Sequence, residues 1–304
     1  MASTGLTRPP NKIKDSFVTI LIQQILNGVV VGSGYVLVAL GLTLIFGVLG
    51  LPNLAHGETY MGGAFVTYTL VSVVGWNYWV AIPVGMAAGA AIGIIVYEVA
   101  FRPLEKAAEV TLFISALAVA TILGQLAVLI FGTGSRVIGT PVEGIVRLGG
   151  VTVTKFSIVI LALVLVATVL LWMILHRTWF GRSMRALSQN RMAAELMGVN
   201  VRVVAYGTFA LGSAVAALAG GVLGGIFPIF PTMGLEPVMK AFIVIVLGGV
   251  GSIPGVVVGG LLLGIVESLG AGYLSSDYRD PIAFGILVFV LALWPTGLAR
   301  GKVS

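Results

Sequence analysis

The 304-residue chain contains no cysteine and only two histidines, His56 and His176. The first absence excludes disulfides, thiol catalysis and thiolate metal sites. No H-E-x-x-H or G-x-S-x-G segment occurs, so neither a zincin helix nor a nucleophile elbow is on offer. A G-x-x-x-x-G-K-[ST] loop is also missing, which removes ATP binding of the P-loop kind; the stretch from Gly297 to Lys302 has the wrong spacing and no following Ser or Thr. Charge is scarce, at 9% of residues. No Asp/Glu relay of the kind a proton pump requires runs through the apolar segments. Nothing in this inventory asks for a cofactor, and a membrane-bound enzyme lacks its nucleophile–base set.

Apolar residues make up 58% of the chain, and the mean hydropathy is +1.10. Crossing a hydrocarbon core takes runs of about 20 apolar residues, and this chain has many. Forty-two glycines fit that class, because membrane helices use small residues to bring backbones together. The net charge of +6 is explained by basic loops on the inner face of a membrane rather than by nucleic acid. The polar, basic residues 1–16 carry no signal-peptide cleavage pattern and are expected to form a short cytoplasmic tail.

Phe17–Leu51 is apolar throughout and would run roughly 52 Å as one helix, so a break is expected near Gly32-Ser33-Gly34. Further spans are expected at Thr59–Val74, Tyr78–Val99, Thr111–Phe131, Phe156–Leu175, Val203–Phe227, Val238–Val250, Ile253–Leu269 and Pro281–Trp294. Val238–Val250 is short for a crossing and could be a half-helix, a re-entrant segment or a tilted short span. The expectation is an all-α, polytopic membrane helical bundle of eight to ten spans. A ten-span arrangement with both termini inside puts twelve of the seventeen lysines and arginines on the inner side. The chain then divides into a tail (1–16), one transmembrane domain (17–298) and a second tail (299–304). Gly85/Gly89/Gly93, Gly220/Gly224, Gly221/Gly225, Gly255/Gly259 and Gly260/Gly264 are expected as close-packing seams, mainly within the subunit.

Three features carry functional expectations. The first is a polar island, His176–Arg202, with five arginines against the single acid Glu195. Asn190 is a plausible N-cap for a short helix over Arg191-Met-Ala-Ala-Glu-Leu-Met197 that Gly198 terminates. Ala193 and Ala194 would leave a low docking face flanked by Met192, Leu196 and Met197. The second is Leu51-Pro-Asn-Leu-Ala-His-Gly-Glu-Thr-Tyr60, where Pro52 and Gly57 are expected to break the helix among the polar Asn53, His56, Glu58 and Thr59. His56 and Glu58 could be two metal ligands lacking a third, a hydrogen-bonded pair bracing the turn, or part of a transport pathway; the bracing pair fits best. The third is a set of intramembrane charges. Glu98/Arg102 and Glu236/Lys240 stand four apart and read as ion pairs. Glu267 is expected near water and His176 at a snorkelling position. No convergent set of charges suggests a clamp for both ends of a zwitterion; Glu58 or the Glu236/Lys240 pair would be the place to look.

Residues also carry a resemblance. NRMAAELMGVNV (190–201) followed by YGTFALGSAVAALAGGVLGG (206–225) resembles the coupling loop and next helix of ABC importer permeases. GLTLIFGVLGLPNLAHGETYMGGAF (41–65), RPLEKAAEVTLFISALAVA (102–120), VLGGVGSIPGVVVGGLLLG (246–264) and RDPIAFGILVFVLALWPTGL (279–298) extend it, in order, to the branched-chain amino acid permease family of the LivH type. The N-F-A-H-G-E pattern of that family stands here as Asn53 to Glu58, with Leu54 in the aromatic position. The resemblance implies a type II ABC importer permease fold in a bacterial or archaeal cytoplasmic membrane. It implies two ABC ATPase subunits, a second permease subunit, an extracytoplasmic substrate-binding protein and surrounding lipid as partners, and no nucleic acid. Asn190, Arg191, Ala193, Ala194, Glu195 and Gly198 would couple to the ATPase; Asn53, His56, Glu58 and Thr59 would be pathway candidates. The same machine carrying urea, short amides or other amino acids, and a secondary transporter, are the alternatives.

Overall fold

The computed structural model describes residues 12–148 and 150–293. The first helix, α1 (Lys12–Leu49), is continuous over 38 residues. The expected break at Gly32-Ser33-Gly34 is absent, and the reason lies across the interface. A Cβ on Gly32 would meet the Gly260 carbonyl at 2.6 Å, and one on Gly28 would meet that of Gly264 at 2.8 Å. These glycines admit a neighbouring backbone instead of bending their own. Ser33 returns its hydroxyl proton to the Val30 carbonyl at 2.6 Å and stays helical. The helix ends at Gly50, whose φ of +67° suits glycine, just ahead of Pro52.

After α1 come α2 (His56–Tyr68), extended by a π turn over Thr69–Val73, and α3 (Tyr78–Val96), extended by a π turn over Tyr97–Phe101 and a 3₁₀ turn over Arg102–Leu104. Then follow α4 (Glu109–Phe131), a hairpin of β1 (Ile145–Leu148) and β2 (Val151–Thr154), α5 (Lys155–Arg177), α6 (Trp179–Gln189) and α7 (Arg191–Leu196). The chain continues through α8 (Val201–Leu223), α9 (Leu235–Gly248), α10 (Ile253–Tyr273) and α11 (Arg279–Leu293). Among the described residues, six helical segments, in α1, α3, α4, α5, α8 and α10, are long and apolar enough to cross a membrane. The segments α2, α9 and α11 are shorter. With α1 unbroken, the ten-span count is corrected downward to at most nine among the described residues. The antiparallel hairpin, pairing Ile145 with Thr154 and Leu148 with Val151, adds a small sheet to the otherwise helical chain.

α1 and α8 form the centre: 72% and 67% of their apolar windows are buried, against 17% for α4 and 28% for α5. α4 and α5 therefore present apolar surface outward, as helices bathed in lipid do. The small-residue seams work inside the subunit. Gly89 approaches Ala217, Gly93 approaches Ser213, and Gly260 and Gly264 approach Val36 and Gly32. Small residues allow this contact where lipid supplies no hydrophobic force between helices.

The molecule has two ends. At one, Gln23 of α1 exchanges two hydrogen bonds of 2.9 Å with Thr152 of the hairpin, and Arg136 pairs by backbone with Ile229. At the other, the last turns of α1 border Trp172, His176, Met184 and Ser188, and Gly47 meets Gly251. One unbroken helix thus joins the hairpin end to the basic-loop end. Its first residues sit at the end opposite that loop, so the expectation that 1–16 shares a side with the loop does not follow from this geometry. Residues 1–11, the final turn expected to reach Trp294, and the tail at 299–304 lie outside the described residues.

Candidate functional site

The polar island folds into two short capped helices. Thr178 caps α6 by accepting the Gly181 N–H at 3.0 Å, and Asn190 caps α7 by accepting the Ala193 N–H at 3.0 Å. Each side-chain oxygen satisfies a backbone donor that the first helical turn leaves free. Gly198 terminates α7 with φ +84°, as its position suggested. The exposed face consists of Met192 (73%), Leu196 (84%) and Met197 (85%), together with Arg191, Ala193 and Glu195. Ala194, expected on that face, is only 4% exposed and packs inward, because a six-residue helix leaves one position to hold it against the bundle.

α7 is fastened to the end of α3. Arg191 Nη2 reaches Glu105 at 3.3 Å, while its Nε reaches Glu195 at 3.2 Å. The Tyr97 hydroxyl donates to the other oxygen of Glu105 at 2.8 Å. Beside it, Arg102 pairs with Glu98 at 2.6 Å, as the four-residue spacing predicts, and the Tyr206 hydroxyl also bonds Glu98. Glu105 escaped the sequence reading. Its signal was the acidic residue placed just past the helix-ending Arg102-Pro103.

The break after α1 is built by Gly50 and Pro52, while Gly57 lies within α2. Gly57 is needed there for a different reason: a Cβ on Gly234 would lie 2.7 Å from the Gly57 carbonyl, so two backbones touch. α2 begins beside Val38 and Gly41 of α1, roughly 12–16 Å inward from the end of that helix at Leu49. α9 begins at the same depth, next to Gly57, and runs the opposite way until Gly248 meets Gly255. Two helices thus start in the interior, where irregular backbone is tolerated only inside protein or along a cavity.

Asn53, His56, Glu58 and Thr59 are all buried at this junction. The bracing pair expected between His56 and Glu58 is not formed. His56 Nε2 sits 3.2 Å from the Val38 carbonyl, and the Thr59 hydroxyl donates to the His56 carbonyl at 2.7 Å. The turn closes through backbone bonds, His56 N–H to Asn53 at 3.3 Å and Glu58 N–H to Ala55 at 3.1 Å. The Asn53 side chain, His56 Nδ1 and Glu58 Oε2 have no hydrogen-bond partner among the described residues. Glu58 Oε2 lies near Gly124 of α4 and the Pro231 carbonyl, facing the loop that precedes α9. No group of three or more metal-binding side chains is assembled among the described residues.

The remaining charges pair differently from their spacing. Lys240 does not pair with Glu236; its ammonium donates to Glu267 Oε1 at 2.6 Å and to Asp280 at 2.7 Å. Tyr35 donates to Glu267 Oε2 at 2.7 Å. Glu267, expected near water, is 2% exposed in this cluster of α1, α9, α10 and α11. Long-range partners decided both cases, and no local spacing encodes them. His176 stacks on Trp172, and its Nδ1 donates to the Trp172 carbonyl, 2.9 Å away.

Comparison with known proteins adds a consistent set of relatives. A profile of the family described as branched-chain amino acid transport system, permease component, matches residues 24–291. The chain is 36% identical to the high-affinity branched-chain amino acid transport system permease protein LivH of Escherichia coli (strain K12), covering 93% of this chain and 97% of that one. The corresponding protein BraD of Pseudomonas aeruginosa is 36% identical over the same shares. A probable branched-chain amino acid transport permease protein LivH of Methanocaldococcus jannaschii is 31% identical over 91% of this chain and 92% of its own.

Proposed function

The chain belongs to the branched-chain amino acid transport permease family, and from that premise we propose that it is the membrane subunit of an ATP-driven importer of leucine, isoleucine and valine. It is a multi-pass membrane protein and a transport permease subunit, and residues 17–298 form its single permease domain. Two ABC ATPases dock on the cytoplasmic face, a second permease completes the pathway, and an external binding protein delivers the cargo.

The observation that carries this reading is α7. It is capped at both ends, exposes Met192, Leu196 and Met197, and is tied through Arg191–Glu105 to the end of α3. A short rigid helix with an apolar tip suits a groove on a partner, as helix-in-groove recognition requires. ATPase closure would push α7 and hence α3, whose Gly89 and Gly93 ride against α8. Asn190, Arg191, Ala193, Glu195 and Gly198 shape the coupling element, and Ala194 fixes it to the bundle. The interior junction of Asn53, His56, Glu58 and Thr59 is the pathway element that this motion would shift.

With the basic loop inside, the start of α1 lies outside. The test is reconstitution of the chain with its ATPases, second permease and binding protein in vesicles. ATP-dependent leucine uptake that requires the binding protein is expected. ATP-dependent uptake of urea or short amides in its place, with none of leucine, isoleucine or valine, would overturn the substrate; no ATP dependence at all would overturn the machine.

A further inference from the structure

A cavity of about 260 Å³ opens between α1, the loop 224–234, the start of α9 and the start of α11. Its wall is apolar and aromatic: Val31, Tyr35 and Val38 on one side, Phe227, Phe230 and Met233 on the other. Two charged residues line it, Glu236 and Arg279. Neither makes an ion pair or hydrogen bond among the described residues, although five charged groups crowd this corner. Lys240 is satisfied by Glu267 and Asp280, and Glu267 is further held by Tyr35. The neighbouring cluster thus uses up the one ammonium that could have neutralised Glu236, and it fixes the Tyr35 wall.

We propose that this cavity is a transit site for a small zwitterion with an apolar side chain, with Glu236 receiving the ammonium, Arg279 the carboxylate, and Phe227, Phe230 and Met233 the side chain. The proposal rests on the reading of the chain as a branched-chain amino acid permease and gives that reading a location. Chemistry and position support it together. A guanidinium suits a carboxylate because its donors are arranged in a planar fork. Glu236 stands in the first turn of α9, where an anionic side chain is favoured by the helix dipole. The volume lies near the lower end of ligand pockets, roughly 300–1,000 Å³. That matches a cargo much smaller than a drug.

The cavity also sits on the route. Phe227 and Phe230 follow the hairpin end of α8, where Ile229 pairs with Arg136, and Arg279 opens α11 at that same end. Met233 leads directly to Gly234, the backbone that touches Gly57 at the interior junction. A molecule released at the hairpin end would reach this cavity before the junction. Both charges stand at an exposed rim, which favours weak, reversible holding over capture.

The experiment uses the complete reconstituted complex and reads leucine transported per ATP hydrolysed. Glu236→Gln and Arg279→Gln should each lower that ratio about three- to fivefold, the loss expected for one exposed ion pair. A second measurement uses the absence of native cysteine: Phe230→Cys places a single thiol in the cavity wall of this chain. Millimolar leucine should slow its modification by a thiol reagent, while isocaproate and isoamylamine, each lacking one charge, should protect less. This protection assay decides the matter alone where a charge variant fails to assemble. Unchanged flux per ATP in both variants, or no protection by leucine, overturns the site while leaving the importer intact. Absence of ATP-dependent leucine uptake by the unsubstituted complex overturns the importer and the site together.

Discussion

The buried cluster of Lys240, Glu267 and Asp280 makes a graded prediction possible. Lys240 and Glu267 are each 2% exposed at the side chain, whereas Asp280 is 61% exposed. Removing one partner of a buried ion pair leaves the other charge uncompensated, at a cost of about 3–5 kcal/mol. Lys240→Met should fall in that range, since Glu267 would keep only the Tyr35 hydroxyl. Glu267→Gln should cost less, about 2–3 kcal/mol, because Lys240 retains Asp280 and the amide still accepts a hydrogen bond. Asp280→Asn should cost under about 1 kcal/mol, as pairs reaching solvent contribute little. The double change Lys240→Met, Glu267→Leu removes both buried charges and should recover most of the loss seen in Lys240→Met. The order of apparent Tm in detergent-solubilised protein, followed by loss of the monodisperse species on heating, reads out the ranking. If Asp280→Asn proves as damaging as Lys240→Met, the cluster is not organised around the buried pair and the reasoning fails.

Other predictions follow from single contacts. Leu196→Glu and Met197→Glu on the exposed tip of α7 should each weaken co-purification of the ATPases without loss of membrane insertion, and normal assembly in both would remove α7 from the interface. Gly57→Val places a branched side chain against the Gly234 backbone and should abolish flux with the ATPases still bound, measured as uptake against pull-down. Glu105→Gln releases Arg191 and should lower transport several-fold per ATPase bound; an unaltered ratio would deny α3 a part in coupling. A cysteine at Glu143, in the exposed loop leading to the hairpin, should react with an impermeant reagent from the outside and one at Met192 only after permeabilisation, and the reverse pattern would invert the orientation.

What could be read from the sequence was local. Asn190 and Gly198 delimit α7 because capping depends on residues within one turn, and Glu98–Arg102 pairs because the two share a helix face. The interior seams were legible for the same reason: glycines four apart align whatever surrounds them. Contacts between distant segments were not. Gly32-Ser33-Gly34 carries the signature of a break and of a packing surface at once, and only the arrival of α10 decides between them. Glu236 and Lys240 have the spacing of a pair, yet Glu267 and Asp280 arrive from other helices and win. The bracing role expected of His56 and Glu58 failed likewise, since the imidazole bonds the Val38 carbonyl of another helix instead. The hairpin has no comparable signal, because Ile145 to Thr154 is short beside the long apolar runs around it.

The unbroken α1 has a mechanical consequence. A helix of 38 residues spans about 57 Å, and without proline or a π bulge it behaves as a rod. Its closest approach to α10, at Gly28 and Gly32, acts as a fulcrum about 25 Å from the Leu49 end. A tilt of about 10° around that point carries the loop end sideways by roughly 4 Å and swings the Lys12 end, about 30 Å from the fulcrum, the other way by roughly 5 Å. Val31, Tyr35 and Val38 sit close to the fulcrum and barely translate, whereas Gly47 and Val48 sweep through most of the arc. One rod can therefore keep the cavity at Tyr35 nearly constant in shape while it opens or closes the cavity at Gly47 and Val48, so the loop end can move without disturbing the walls near the fulcrum.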